Sequence, residues 1–210
     1  MSKAVLISIK PKWCELIASG KKTVEVRKTK PKLDTPFKCY IYCTKAKDFF
    51  SIGGGMYAAA DELYRLPTGE IKLGDSFELA ADWSEKYDKD NFLNGKVIGE
   101  FVCDKILQIS VYYNDLNCKL ALKESPFVCL TDKQIIDYLG NGKQGYGWNI
   151  SDLKIYDKPK ELSAFKKINR DCWYADLGLA KRDCHECKNK ECFVQRPPQS
   201  WCYVEELSVW

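Results

Sequence analysis

Between Val5 and Arg27 the sequence demands a strand, a helix and a second strand within little over twenty residues. Val5-Leu6-Ile7-Ser8-Ile9 is a short apolar run rich in β-branched residues, the composition of a buried strand. Pro11 stops it and suits the first position of a helix, where its missing N–H would have had no partner. Trp13, Leu16 and Ile17 recur at helical spacing, and Gly20 is placed to end the helix. From Thr23 to Arg27 the period changes to two. Val24 and Val26 share one face, while Thr23, Glu25 and Arg27 share the other. A carboxylate and a guanidinium, with Lys22 just ahead of them, are thus delivered onto a strand that begins beside a helix end. A valine face opposite a charged face is also the ordinary signature of a half-exposed sheet, so the pattern by itself admits a solvated edge.

Gly20-x-Lys22-x-x-Glu25-x-Arg27, preceded by a strand and a short helix, resembles the opening of the ASCH domain family, within the PUA-like β-barrel superfamily. The resemblance implies an α+β fold, a mixed β-barrel with short flanking helices. It also implies a cleft lined by Lys22, Glu25 and Arg27, and kinship with RNA-binding modules. Gly74-Asp75-Ser76-Phe77-Glu78-Leu79 resembles the Gly-Asp turn and strand of such barrels. The aromatic strand after Trp148 and the Pro159-x-x-Leu162 exit resemble the distal part of the longer ASCH-type proteins.

At 210 residues the chain can bury one sizeable core. It reads as a single domain over 1–210, with an insertion at about 45–72 and a cysteine-rich excursion at about 170–196. Hydrophobic residues make up 45% and charged residues 30%, the proportions of an ordinary globular protein. No apolar run approaches the length of a membrane span, and the N-terminus lacks a secretory apolar stretch, so cytoplasmic residence is the default expectation. The net charge of +4 permits a nucleic-acid partner without demanding one.

The segment after Arg27, Lys28-Thr29-Lys30-Pro31-Lys32, is a basic loop. Such a run is commonly just solvated, but beside a cleft it would meet phosphates. Phe37 to Thr44 alternates, with Cys39, Ile41 and Cys43 on one face and Tyr40, Tyr42 and Thr44 on the other. The cysteines there read as small core residues. Gly53-Gly54-Gly55 precedes a plausible helix from Met56 to Leu66, but the ending of a nucleotide-triphosphate loop is missing. Gly95 to Ser110 reads as one long strand with Val97, Gly99, Phe101 and Cys103 on one side and Ile98, Glu100 and Val102 on the other, bending at its internal glycine. Thr131 to Gly140 is a capped helix, with Thr131 or Asp132 accepting its free N–H groups and Ile135, Ile136 and Leu139 as its stripe. Gly140 to Trp148, with four glycines, reads as a loop. Trp148 could stack on a nucleobase or plug the core. Trp201 to Leu207 reads as a final strand. It resembles the C-terminal strand that completes such barrels next to the first, which would bring Ser200 and Trp201 close to Lys10 and the charged face.

Eleven cysteines without a secretory leader argue for reduced thiols or metal ligands rather than a disulfide framework. Cys184-His185-Glu186-Cys187 places two thiolates at a metal-binding spacing, Cys192 follows, and Cys172 can close a tetrahedron. His185 and Cys202 are alternates for the fourth position. The expected cofactor is a structural zinc ion, and free cysteines are the plain alternative.

Three functions fit these residues. The first is a module for RNA or another single strand, with Lys22, Glu25 and Arg27 in a cleft, Lys10, Lys28 and Lys30 on phosphates, Trp13, Trp148 or Trp201 stacking bases, and Ser200 close by. The second is a hydrolase acting on RNA or a nucleoside-like ligand, with Lys22, Glu25 and Arg27 as its catalytic groups. Some ASCH-type proteins resemble ribonucleases or amidohydrolases that deacylate modified cytidine. In the latter the catalytic lysine corresponds to Lys22, but Glu25 stands where they carry a threonine nucleophile. The third is a protein-interaction scaffold presenting the insertion helix.

Overall fold

The first strand spans Lys3–Ile9 (β1) and runs inside the main sheet. The computed structural model describes residues 2–45, 49–53, 56–59, 62–66, 68–74, 92–110, 129–168 and 192–207. Both faces of β1 are covered: Val5, Ile7 and Ile9 enter one core cluster, Ala4 and Leu6 another. β1 pairs in parallel with β3 (Phe37–Cys43) and antiparallel with β12 (Trp201–Glu205). With β8 (Val97–Cys103) and β11 (Ser151–Lys160) the sheet order is β11–β8–β3–β1–β12. The final strand therefore lies beside the first, as the family resemblance implied. A second sheet, in the order β2–β10–β9, is built from β2 (Val24–Arg27), β10 (Gln144–Asn149) and β9 (Ile106–Ser110). Two hairpins join β4 (Phe49–Gly53) to β5 (Met56–Ala59) and β6 (Glu62–Arg65) to β7 (Ile71–Gly74). The helices are α1 (Pro11–Ala18) and α2 (Asp132–Leu139). The expected mixed pairing is present, but the ladders of the described residues form separate sheets and do not close into a barrel.

The alternation in β3 is realised: Cys39, Ile41 and Cys43 face the main core, Tyr40 and Tyr42 the second. Burial pushes the Cys14 and Cys39 thiols well above their usual range and Cys103 to about 12, so these cysteines act as small apolar groups.

The long strand expected from Gly95 to Ser110 is broken at Asp104-Lys105. Its first half joins the main sheet as β8 and its second half joins the other as β9. The alternation within β8 also slips. Gly99 pairs with Ile41 but Val97 pairs with Tyr42, so Ile98 is an extra, bulged residue. Val97 consequently turns to the second core with Tyr42, and Ile98 joins Phe101 in the main one. Gly99 is required by closeness: a Cβ there would lie 2.5 Å from the backbone oxygen of Lys154 on β11. Gly99→Ala is expected to destabilise the protein by about 1–3 kcal/mol, read as a lower urea midpoint, because backbone rather than a flexible side chain must give way.

Two sequence expectations fail here. The helix proposed for Met56 to Leu66 is instead β5 and β6, since ladders to β4 and β7 override the helical leaning of Met, Ala, Glu and Leu. The glycine-rich segment expected as a loop contains β10, the central strand of its sheet. Its glycines let α2 approach: a Cβ on Gly145 would lie 2.5 Å from Leu139. The helix itself is capped as foreseen. The Thr131 side chain accepts from Gln134 N while the Gln134 side chain accepts from Thr131 N. Its buried Ile135 and Leu139 meet Val24, Val26 and Ile109 in a third cluster.

Cys172, Cys184, His185 and Cys187 lie outside the described residues, as does the strand expected from Phe77 to Leu79. Cys192 is buried, and Cys202 sits on β12 against the second core. Among the described residues no helix is long and apolar enough to cross a membrane.

Candidate functional site

Gly20 follows α1 with a φ of +72°, the left-handed conformation that glycine adopts without strain, and the Lys22 N–H donates to the Leu16 carbonyl at 2.9 Å. This reversal launches β2 from the end of α1. Val24 and Val26 then pack beneath α2, which leaves Glu25 and Arg27 on the opposite face. The alternation was legible in the sequence; the degree of burial was not. β2 is no half-exposed edge: Lys22, Glu25 and Arg27 are 1%, 6% and 7% exposed.

These three side chains form one ionic cluster. Glu25 Oε1 lies 2.9 Å from Arg27 Nη2, and Oε2 lies 3.4 Å from Lys22 Nζ. Lys22 Nζ also donates to the Val24 carbonyl at 2.6 Å and stands over the Trp13 ring, 5.5 Å from its centroid. Arg27 Nη2 donates to the Ser8 carbonyl at 2.6 Å, and Nη1 approaches Ser200 Oγ at 3.5 Å. Arg27 thereby ties β2 to β1 and to the segment that precedes β12. That segment is fixed from below: Ser8 Oγ donates to the Pro198 carbonyl at 2.7 Å and Ser8 N to the Ser200 carbonyl at 2.9 Å. Arg27 Nε is buried and has no hydrogen-bond partner among the described residues.

Above the cluster opens a cavity of about 820 Å³. α1 supplies Trp13 as one wall, Pro197 to Ser200 supply another, and Lys10 and Lys45 stand at its margin. Of the residues singled out in the sequence, Lys10, Trp13, Lys22, Glu25, Arg27 and Ser200 all line it. Four others, Lys28, Lys30, Trp148 and Trp201, do not. Trp148 is 0% exposed and packs edge-on against Phe37, with centroids 5.8 Å apart. It plugs the core and offers no face to a base, which corrects the stacking role considered for it. Trp201 packs 6.0 Å from Trp148 and donates from Nε1 to Thr29 Oγ1 at 3.1 Å. Lys28 is exposed just outside, its ammonium 5.3 Å from the centroid of Tyr138.

The sequence reading missed a whole wall. Leu130, Gln134, Asp137 and Tyr138 reach the cavity from the N-terminal approach and polar face of α2. The capping box and the Ile135/Leu139 stripe show which face of that helix is buried, but nothing local shows what the other face borders. Tyr138 is 38% exposed and contacts the Arg27 side chain; the burial of its phenol raises the pKa. The site therefore offers an aromatic wall, hydrogen-bond donors on a buried floor and cations at the rim. Among the described residues no group of His, Cys, Asp and Glu side chains is arranged to hold a metal.

Such an arrangement, a strand–helix–strand opening whose charged face becomes the floor of a cavity walled by the segment ahead of the last strand, defines a domain of mixed sheets with a candidate pocket. The chain belongs to the ASCH domain family, whose profile matches residues 7–126. Crystal structures of an ASCH protein from Zymomonas mobilis are similar to it. A serine-to-alanine mutant of that protein matches with 16% identity and a TM-score of 0.49, over 97% of this chain and 89% of that one. A tyrosine-to-phenylalanine mutant gives 18% and 0.46 over 98% and 92%, and the ASCH protein itself 17% and 0.46 over 97% and 88%. No curated protein matches the sequence.

Proposed function

We propose that this ASCH domain is a recognition module for single-stranded RNA that takes one nucleotide into the cavity above Lys22, Glu25 and Arg27. The supporting observation is the buried ionic cluster at the floor of a cavity of about 820 Å³. That volume falls within the range of small-molecule sites, roughly 300–1,000 Å³, so a nucleotide rather than a duplex is the fitting guest. Trp13 is half-buried and lines the cavity, which suits it to stack on a base. The Arg27 guanidinium lines the cavity, where its planar fork of donors suits a base carbonyl or a phosphate oxygen. Lys10 and Lys45 are exposed at the margin, where a phosphodiester would pass.

The scaffold reading loses its premise, because the segment from Met56 to Leu66 contains strands rather than an apolar helix. The hydrolase reading shares the cavity and differs in outcome. Fluorescence anisotropy with a short labelled single-stranded RNA across a salt series separates the two. Trp13→Ala is expected to weaken binding about tenfold or more, the loss of one stacked base, while the core-facing Cys14 and Ile17 keep α1 in place. Arg27→Lys is expected to weaken it too, since it keeps the charge and removes the planar guanidinium fork. RNA recovered afterwards is expected intact. Cleaved or chemically altered RNA would transfer the assignment to the hydrolase reading. Binding absent at every salt concentration, or unchanged in both variants, would overturn RNA recognition in this cavity.

A further inference from the structure

The basic loop after β2 is not a set of freely solvated lysines. Pro31 is buried, and the Lys32 N–H donates to the Tyr203 hydroxyl at 2.7 Å. Thr29 Oγ1 accepts from Trp201 Nε1 at 3.1 Å, so the loop is stapled to β12 at two points. Lys28, beside the first staple, and Lys30, between the two, are exposed, yet each ammonium rests over an aromatic ring. Lys28 is 5.3 Å from the centroid of Tyr138 on α2, and Lys30 is 5.5 Å from that of Tyr146 on β10. Lysine carries much rotamer entropy, and a solvated charge run leaves that freedom intact. Here the backbone is fastened and both ammonium groups are positioned in advance, which lowers the ordering cost of binding an anionic partner. Tyr138, which carries Lys28, is also a wall of the cavity, and Arg27 on the cavity floor directly precedes Lys28. The line of cations therefore begins at the pocket and leads away from it.

From this geometry we infer that Lys28 and Lys30 form a pre-ordered phosphate track, so that the ligand is a polynucleotide chain rather than a free nucleoside or mononucleotide. This inference rests on the pocket reading given above and narrows its substrate class. One nucleotide occupies the cavity while the phosphodiesters flanking it run over the loop. The loop adds affinity for chain length without reading sequence, because ammonium–phosphate contacts position a backbone and carry no base information.

The test compares uridine 5′-monophosphate with oligouridylates of increasing length, by competition against a labelled oligouridylate over a salt series. Wild-type protein, Lys28→Gln/Lys30→Gln and a control, Lys154→Gln/Lys158→Gln on the exposed edge strand β11, are measured side by side. For wild type, affinity is expected to rise from the mononucleotide to the short oligomers and then level off. The Lys28/Lys30 variant is expected to lose that gain, to keep its mononucleotide affinity and to show a log–log salt slope shallower by roughly 1.4, about 0.7 for each phosphate contact removed. The control is expected to match wild type. A mononucleotide that binds as tightly as the oligomers would overturn the track while leaving the pocket standing. Oligomer binding with unchanged slope in the Lys28/Lys30 variant would overturn it likewise. Absence of binding by monomer and oligomer alike would overturn both the pocket reading and this one.

Discussion

Glu25→Gln is expected to destabilise the protein by about 3–5 kcal/mol, the cost of removing one partner from a buried ionic group. The carboxylate is 6% exposed and lies between two cations, with Arg27 Nη2 at 2.9 Å and Lys22 Nζ at 3.4 Å. Glutamine keeps the shape and loses the charge, so the two cations face each other across a neutral amide in a site that water scarcely reaches. The loss should appear as a lower urea midpoint with an unchanged slope. Removing one cation as well, in Glu25→Gln/Arg27→Met, should restore part of the lost stability, because an apolar side chain relieves the imbalance. A single variant as stable as wild type would mean that the cluster holds its cations by other means. The double variant tests the electrostatic cause: losses that simply add would point to packing instead.

Trp148→Ala should be comparably severe, at about 3–5 kcal/mol, for an unrelated reason. Trp148 is fully buried, where β10 meets the cluster formed by β1, β3 and β8. It contacts Phe37 edge-on at 5.8 Å and Trp201 at 6.0 Å between centroids. Truncation leaves a large cavity beneath the strand that pairs with Glu25 and Arg27, so the floor of the pocket loses its support as well. Trp148→Phe, which keeps most of the apolar volume, should cost much less. Near-equal stability of Trp148→Ala and wild type would show that the core collapses to fill the space.

The sequence carried the opening of the fold well, because the first elements are fixed by short-range chemistry. Pro11 and Gly20 punctuate α1, and the two-residue period of β2 separates Val24 and Val26 from Glu25 and Arg27. The Thr131 capping box and the alternating faces of β3 were legible for the same reason. The failures all occur where partners outside the segment itself decide. Gln144 to Asn149 has the glycine content of a loop, yet it becomes a central strand because β2 and β9, far away in sequence, pair with its two edges, while Gly145 leaves room for Leu139. Met56, Ala58 and Leu63 favour a helix locally and are drawn into hairpins by β4 and β7. At the candidate site, the floor could be read from one motif of eight residues, Gly20 to Arg27. The wall from Leu130 to Tyr138 could not, since no local pattern says that the polar face of α2 lies across from α1.

The cavity joins the two ends of the chain. Its floor is complete by Arg27, but its closing wall, Pro197 to Ser200, is bonded to Ser8 across 190 residues, and Arg27 reaches Ser200 across 173. Synthesis proceeds from the N-terminus, so the residues of the floor are made long before β10 can pair with β2 and β12 can cover the edge of β1. Contacts of such long range also form late during folding. The cavity is consequently complete only after the segment ahead of β12 has been made and has packed against Ser8.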